Sequence, residues 1–385
     1  MDVSHLDHIL DRISGLRENT YDHDIIVRVH DNWVAAVQAS GRPHSVRRNS
    51  KGFPTITLLR EDGSSLGAIQ PVLLPGCPVA SRRLVGDKLG TSALLGSKGV
   101  RVPRGWVFDG DRLEEAREVV FQDLTEVAVK PPALSLGQGV RLRVDAESFP
   151  QAFEDAVTAQ TRVAEPQVLV QEMHPGLEMR VVVVEGRLHH VLARIPAYVV
   201  GDGVSTIDQL IDAKNERRAR DGFLAGKKLG RGANVQAQLR MSGRTFADVP
   251  ADGERVLLSS LSNTAFGGET AVVTDLVSEA IKDIALRTVA AVPGITTGGC
   301  DILAHSFDDE DPVALEINTF PHVQLGAYPT YGEPVDAMGD FVRAVYARDA
   351  MQREGRLEDG AGEILAHYLR FYALRDQQDS AAATA

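Results

Sequence analysis

The sequence predicts an α+β protein in which helices alternate with antiparallel strands. Apolar residues recur at helical spacing over positions 5–16 and again over 113–120, as on helices that bury one face. Apolar runs over 168–171, 179–184 and 188–195 are separated only by short polar turns. Strands this close in sequence pair as antiparallel neighbours, because a parallel pair needs a long crossover.

The composition is that of an ordinary globular protein. Of the 385 residues, 43% are hydrophobic and 24% are charged, which is enough for a substantial core and for two or three domains. The formal net charge of −12 argues against a nucleic-acid partner, because phosphate backbones are bound by clustered Lys and Arg. We therefore expect small-molecule substrates.

Cysteine usage and hydropathy predict a cytoplasmic protein. Cys77 and Cys300 are the only cysteines, and their wide separation signals neither a disulfide framework nor a zinc site. The charged N-terminal segment lacks the apolar core of a signal peptide, and no apolar run is long enough to span a membrane. We expect no membrane contact.

Changes in residue pattern divide the chain into four parts. Residues 1–83 mix a helix with short strands and predict a small α/β lobe, which we expect to take part in substrate binding. Residues 84–163 predict a second lobe and residues 164–350 a larger one. Residues 351–385 predict a C-terminal helix that ends in a frayed polar tail, because nothing large remains there to be buried.

Three oxygen-bearing side chains stand in two strand-like stretches late in the sequence. Asp301 lies in the stretch 295–303, Glu316 lies near the end of the stretch 312–317, and Asn318 directly follows that stretch. Because side chains alternate along a strand, Glu316 and Asn318 point to the same face. With an aspartate from a neighbouring strand they suit Mg²⁺ held against nucleotide phosphates. Solvent-facing polar residues at strand ends are the alternative.

A lysine and a glycine-rich segment predict a second part of a nucleotide site. Lys130 ends an apolar run and is followed by Gly137 and Gly139. A lysine beside such a loop can bring an ammonium group and backbone N–H groups to one polyphosphate, because glycine lets the backbone approach closely. A plain hairpin loop is the alternative.

The segment 168–180 predicts a strand, a polar hinge, a Pro-Gly turn and a second strand. The hinge residues Gln171, Glu172 and His174 are candidates for contact with an adenine edge, and Glu178 is a candidate for contact with a ribose. A simple hairpin without a ligand is the alternative.

Two arginines lie on successive strand runs around a turn at 185–187. Arg180 and Arg194 could project to the same face, where guanidinium groups bind phosphate or carboxylate with two parallel hydrogen bonds. His189 and His190 are adjacent in the second run, and we expect their rings to face opposite sides of the strand.

Taken in order, these elements resemble the ATP-grasp superfamily over about residues 84–345. Two stretches of the sequence narrow this resemblance to particular ligases within the superfamily. The stretches 194–207 and 250–275, with the sequence Val-Val-Gly-Asp-Gly in the first and Gly267-Gly268 in the second, are similar to the ligases related to cyanophycin synthetase and to the glutathione-synthetase module of the bifunctional glutathione enzyme.

The resemblance implies two β-rich lobes that clamp ATP, with residues 1–83 and the C-terminal helices as additions. The implied nucleotide contacts are Lys88, Lys130, Gly137, Gly139, Gln171, Glu172, His174 and Glu178. The implied metal ligands are Asp301, Glu316 and Asn318, which would hold two Mg²⁺ ions, or Mn²⁺ in their place. The resemblance implies that Arg180, Arg194 and Asn263 act on the reacting groups.

The family joins a carboxylate to an amine. ATP converts the carboxylate to an acyl phosphate, and the amine then displaces phosphate. The resemblance therefore implies an ADP-forming acid–amino-acid ligase that acts on an amino acid or a small peptide. An enzyme that modifies a peptide or protein acceptor, and a catalytically silent ATP-binding regulator, stay open as alternatives. A homodimer is compatible with the family.

The sequence departs from the family pattern after Asn318. The family usually has Pro-Gly within a few residues and then a histidine. Here Pro321 is followed by His322, and Gly326 occupies the usual histidine position. We expect the substrate contacts to differ at this point.

Overall fold

The structure is a computed structural model that describes residues 1–132, 139–355, 357 and 360–384. Its helices are α1 (Val3–Arg12), α2 (Val29–Ala39), α3 (Val79–Gly86), α4 (Lys88–Ser97), α5 (Leu113–Val120), α6 (Phe149–Thr158), α7 (Ile207–Ala219), α8 (Ala233–Met241), α9 (Glu279–Ala291), α10 (Gln324–Ala327), α11 (Ala337–Glu354) and α12 (Ala361–Thr384). Short 3-10 helices lie at Thr264–Phe266 and Thr274–Leu276.

The strands are β1 (His44–Arg48), β2 (Pro54–Leu59), β3 (Ser65–Ile69), β4 (Gly105–Asp109), β5 (Val127–Lys130), β6 (Arg141–Val144), β7 (Gln167–Glu172), β8 (Leu177–Val184), β9 (Arg187–Ile195), β10 (Tyr198–Val200), β11 (Arg255–Leu257), β12 (Glu269–Val272), β13 (Gly298–Ala304) and β14 (Val313–Asn318). They form sheets in the orders β1-β2-β3, β4-β7-β5-β6, β10-β11 and β12-β9-β8-β13-β14. The pairings are antiparallel throughout. The predicted α+β class is confirmed.

The five-stranded sheet is covered differently on its two faces. Side chains such as Met179, Val181 and Val183 point to one face and join the largest core cluster, against which α1 and α9 pack. The alternate residues Val182 and Val184 point to the other face and join a separate cluster. Buried apolar side chains thus cover the first face of the sheet, whereas the second face carries charged residues as well.

The second cluster attaches the N-terminal lobe to the sheet. Trp33 of α2 and Leu58 of β2 pack there with Phe341 of α11. The side chain of Arg60 at the end of β2 donates to both carboxylate oxygens of Asp349 on α11, at 2.8 and 2.7 Å. The lobe is therefore held by apolar contact and by a partly buried ion pair.

The segment 17–28 between α1 and α2, here called the N-terminal strap, lies across two other parts of the chain. The amide of Asn19 donates to the carbonyl of Thr330 over 2.8 Å, and the amide of Gly222 donates to the carbonyl of Tyr21 over 2.7 Å. The Gln324 amide group donates to the carbonyl of Ile26 over 3.3 Å. The strap thus links the segment after β14 to the region after α7.

A buried charge cluster holds α7 against β12. Glu269 is 4% exposed and accepts from Arg218 at 3.1 Å, while the ammonium group of Lys214 lies 3.0 Å from the same oxygen. The Lys214 ammonium also sits 3.5 Å from the centre of the Tyr198 ring. Burial lowers the pKa of Lys214 and of Arg218, and the charge of Glu269 opposes this shift.

The prediction that His189 and His190 face opposite sides is wrong. In the β8–β9 pairing His190 is opposite Val182 and Leu188 is opposite Val183, so His189 is an extra, bulged residue. A bulge of this kind breaks the alternation of side chains. The two Nδ1 atoms consequently lie 2.8 Å apart.

The prediction of a frayed tail is also wrong, because α12 runs from Ala361 to Thr384. Gln378 is 4% exposed, and its amide group donates to the carbonyls of Lys98 and Arg287, both at 3.2 Å. Alanine favours helix, and these long-range contacts are invisible in the local composition. No helix of the described residues is both long and apolar enough to cross a membrane.

Candidate functional site

Six of the predicted site residues share one face of the five-stranded sheet. Arg180 is opposite Asp301, and Asp301 is opposite Glu316. Since side chains alternate with period two, the neighbouring strands bring the following residues to the same face as Val182: Glu178 and Arg180 of β8, Arg194 of β9, Asp301 of β13, and Glu316 and Asn318 of β14.

Arg180 and Asp301 form a buried ion pair at the centre of this face. They are 7% and 3% exposed, and Arg180 donates to both carboxylate oxygens, with Nη2 to Oδ2 at 2.9 Å. Burial acts to lower the pKa of Arg180, but the charge of Asp301, its hydrogen bond to Arg180 and the charges of Glu316 and Glu178 together raise it. Burial likewise acts to raise the pKa of Asp301, but Arg180 holds it below its ordinary value. Asp301 is therefore an ionised oxygen donor fixed by a guanidinium group.

Glu316 and Asn318 complete the predicted metal-ligand set. The amide group of Asn318 donates to Glu316 over 3.4 Å. Burial and the neighbouring Asp301 raise the pKa of Glu316, because two carboxylates repel each other where water is scarce. A dication would offset this repulsion, and carboxylate and amide oxygens are ligands that suit Mg²⁺. The set contains only two carboxylates, and the described residues nowhere gather three His, Cys, Asp or Glu side chains around one cation position.

Two lysines face the carboxylates. The ammonium group of Lys88 lies 3.6 Å from Glu316 Oε2. Burial, followed by repulsion from Lys88, lowers the pKa of Lys130 to about 8, although Glu316 acts in the opposite direction. Two ammonium groups held close enough to repel each other make a place for a polyphosphate, which would neutralise both.

Of the two predicted loop glycines, Gly137 lies outside the described residues. Gly139 has a φ of +68°, and a Cβ built on it would stand 2.9 Å from Ala159 Cβ and from Pro131 Cγ. A side chain at this position would be strained both by the backbone conformation and by the lack of space. The backbone here can therefore pass close to its neighbours only with glycine.

The predicted adenine-binding residues lie at the end of β7. Gln171 is 4% exposed, and its Oε1 has no hydrogen-bond partner among the described residues. Glu172 accepts from the backbone N–H of Arg104 at 3.3 Å, and His174 Nε2 lies 3.5 Å from the Glu172 carboxylate. An unpartnered buried amide oxygen is costly and fits the recognition of a base edge, whereas Glu172 is already engaged.

Glu178 and Arg194 pair with each other on the shared face. Arg194 donates to the Glu178 carboxylate, and so does the hydroxyl of Ser262. Arg194 Nη1 also lies 3.8 Å from Asp301, while Arg194 Nε is buried without a partner among the described residues. The structure thus places Glu178, the residue predicted to bind ribose, beside Arg194, one of the predicted catalytic residues.

Asn263 begins the short 3-10 helix at Thr264–Phe266. Its Oδ1 accepts from the amide of Ala265 at 2.9 Å, which caps the helix. A Cβ built on Gly268 would stand 2.9 Å from the Asn263 and Ile195 carbonyl oxygens. The side-chain oxygen of Asn263 is therefore engaged in capping the 3-10 helix that follows it in this structure.

The structure adds two residues to the site that the sequence patterns do not identify. Ser262 reaches Glu178 only through a long-range contact, and no local motif marks it. His322 is exposed as a whole residue, yet protein atoms packed around its ring desolvate the imidazole. This desolvation, followed by the charges of Arg180, Arg194 and His30, lowers the pKa of His322. Its only sequence signal is the departure from the family pattern after Asn318.

Comparisons with known proteins agree with this architecture. The chain is 28% identical over 255 residues to the glutathione biosynthesis bifunctional protein of Clostridium perfringens, covering 64% of this chain and 32% of that protein. It is 29% identical over 276 residues to the cyanophycin synthetase of Trichormus variabilis, covering 69% of this chain and 30% of that protein. The chain thus spans about a third of the length of the curated relatives it matches.

A solved structure shares the fold. The bifunctional glutathione synthetase from Pasteurella multocida superposes with a TM-score of 0.60 and 22% identity, over 83% of this chain and 43% of that one. No family model matches the sequence. The chain is thus similar in sequence to the bifunctional glutathione proteins and to the cyanophycin synthetases, and it shares the fold of a bifunctional glutathione synthetase.

Proposed function

We propose that the chain is an ATP- and Mg²⁺-dependent ligase that joins a carboxylate to an amine with release of ADP and phosphate. One observation carries the proposal: the Lys88 ammonium group lies 3.6 Å from Glu316 Oε2, and Lys130 is near enough to both for their charges to act on its pKa. Cations on one side and oxygen donors on the other suit a metal-bound triphosphate.

The residues of the site suit the formation of an acyl phosphate. Asp301, Glu316 and Asn318 would hold Mg²⁺, which when bound neutralises charge on the transferring phosphoryl group. Lys88 and Lys130 bind and orient the phosphates. Arg194, which lies on the same face of the sheet, is our candidate for binding the substrate carboxylate. Arg180 acts indirectly, because it fixes Asp301.

We propose an amino acid or a short peptide as the substrate class. This rests on the relatives, whose names refer to glutathione and cyanophycin synthesis. Binding of two Mg²⁺ ions, replacement by Mn²⁺, a homodimer and a cytoplasmic location stay predictions. The presence of Lys130, Asp301, Glu316 and Asn318 together argues against a silent regulator, since loss of metal ligands would be the simplest route to inactivity.

The test is ADP release with pooled amino acids and short peptides, in the presence of MgATP. A carboxylate and an amine required together would support the ligase. A phosphoester formed on a hydroxyl acceptor would indicate a kinase instead. ATP binding without turnover in any pool would contradict the proposal.

We predict that Glu316→Ala lowers turnover by about 10²-fold or more, because a charge-stabilising group is lost from the phosphoryl-transfer site. The matched control is Glu310→Ala, since Glu310 is exposed. Circular dichroism and the unfolding temperature would show that both variants fold. Unchanged turnover of Glu316→Ala would contradict the metal assignment.

A further inference from the structure

His322 projects from a packed segment next to the site. Its neighbours Pro321 and Val323 are buried, whereas His322 is exposed. A Cβ built on Gly299 would stand 2.9 Å from Pro321 Cβ and 3.2 Å from Arg180 Cδ, so Pro321 and Arg180 border the same point of β13. The ring that follows Pro321 is thereby positioned at the edge of the charged face of the sheet.

The N-terminal lobe supplies the opposite wall. His30 of α2 stacks on Phe320 with ring centres 6.2 Å apart and planes at 20°, and its Nε2 lies 2.9 Å from the carbonyl oxygen of Pro71. The ring of His30 also packs edge-on against Phe53 at 5.1 Å. His30 is thus held in place beside the segment that carries His322.

The charged groups around His322 favour its neutral form. The charges of Arg180 and Arg194 on the sheet and of His30 on α2 act on it. Desolvation of the ring by the protein atoms packed around it is the largest cause of its lowered pKa, and these three groups add to it. A neutral imidazole can accept a proton. Among the described residues no side chain or backbone group hydrogen-bonds to either ring nitrogen of His322.

We propose that His322 accepts the proton that the amine substrate loses when it attacks the acyl phosphate. The proposal rests on the proposed ligase function. The amine nitrogen forms a bond to the acyl carbon, the bond between that carbon and the phosphate oxygen breaks, and phosphate leaves with the electron pair. The proton passes from nitrogen to His322 and then to water or to the released phosphate. The nearby arginines serve the same end, because positive charge also favours the unprotonated amine.

The two half-reactions separate this role from a structural one. Acyl phosphate formation is measured by trapping with hydroxylamine, which is largely unprotonated at neutral pH and needs no base. Amide formation is measured with the amino-acid and short-peptide pool. Wild type, His322→Gln and His322→Ala are compared, with His367→Gln on α12 as the control and unfolding temperatures as the check on folding.

We expect His322→Gln to lower amide formation by about 10²-fold and to leave hydroxamate formation within about two-fold of wild type. Added imidazole should restore part of the amide formation of His322→Ala. Both variants should lose the part of the acidic limb of the pH–rate profile that comes from His322, and should keep the part that comes from the amine substrate. Unchanged amide formation, or an equal loss of both half-reactions, would overturn the role of His322. A wild type that forms neither product would instead overturn the ligase function on which the role depends.

Discussion

At the scale of single residues, the site brings groups of like charge close together, and a bound ligand would neutralise them. Lys130 is the clearest case, since burial and Lys88 lower its pKa to about 8. The folded protein therefore resists protonation of Lys130 more than the unfolded chain does. As pH falls from about 10.5 through about 8, this group lowers the free energy of unfolding, and the loss is complete at neutral pH.

We predict that Lys130→Met raises the unfolding temperature of the ligand-free protein at pH 7, because it removes a desolvated charge. The same variant should lose the rise in unfolding temperature that MgATP produces in wild type. Thermal unfolding with and without MgATP measures both effects. Lys228→Met is the control, since Lys228 is exposed. A variant that is less stable without ligand would contradict the cost of the desolvated charge, and a variant that keeps the MgATP effect would contradict the phosphate-binding role.

At the scale of elements, the bulge in β9 brings two buried histidines into a chain of polar contacts that ends on α11. His189 Nε2 lies 3.0 Å from Asp340 of α11, and the Nδ1 atoms of His189 and His190 are paired. Burial lowers the pKa of His189 to about 4 and that of His190 to about 3. Both rings are neutral in the folded protein, so their contribution to stability is present above the ordinary histidine pKa and is lost as pH falls below it.

We predict that the free energy of unfolding falls between pH 6.5 and about 4, with up to about 1.4 kcal/mol per pH unit from each ring. His190→Leu should reduce this slope by the share of one ring. His305→Gln should not, because His305 is exposed. Chemical denaturation across this pH range measures the slope. An unchanged slope in His190→Leu would show that its ring is protonated as readily in the folded protein as in the unfolded chain.

The contact between the N-terminal strap and Gly222 is a second feature at this scale. A Cβ built on Gly222 would stand 2.0 Å from the carbonyl oxygen of Asp22, so the strap fits against the region after α7 only with glycine there. We predict that Gly222→Ala destabilises the protein by about 1–3 kcal/mol and speeds proteolysis within residues 17–28. Gly226→Ala is the control, because no atom lies within 4 Å of a Cβ built there. Equal proteolysis of the two variants would contradict a tight contact.

At the scale of the whole molecule, the N-terminal lobe is part of the core. Trp33, 2% exposed, packs with Val182 of the five-stranded sheet and with Phe341 of α11. Removal of residues 1–83 would uncover this apolar surface, and exposed surfaces of this kind drive aggregation.

We predict that a chain of residues 84–385 aggregates, and that Trp33→Ala in the full chain costs about 3–5 kcal/mol of unfolding free energy. Size-exclusion chromatography and chemical denaturation measure these effects, with the full-length wild type under the same conditions as the reference. A truncated chain that is monomeric and still stabilised by MgATP would show that residues 84–385 fold without the lobe.

The sequence by itself determined the α+β class, the order of the motifs and the residue types of the site. These depend on local patterns: the period of two placed Glu316 and Asn318 on one face, a strand-like stretch contained Asp301, and the end of an apolar run located Lys130. Only the tertiary structure decided how the charges pair. That Arg180 is committed to Asp301, that Ser262 reaches Glu178, and that His30 faces His322 all depend on contacts between distant parts of the chain. The bulge at His189 and the continuation of α12 through Gln378 have the same origin, because long-range packing selects among local conformations that the sequence leaves close in energy.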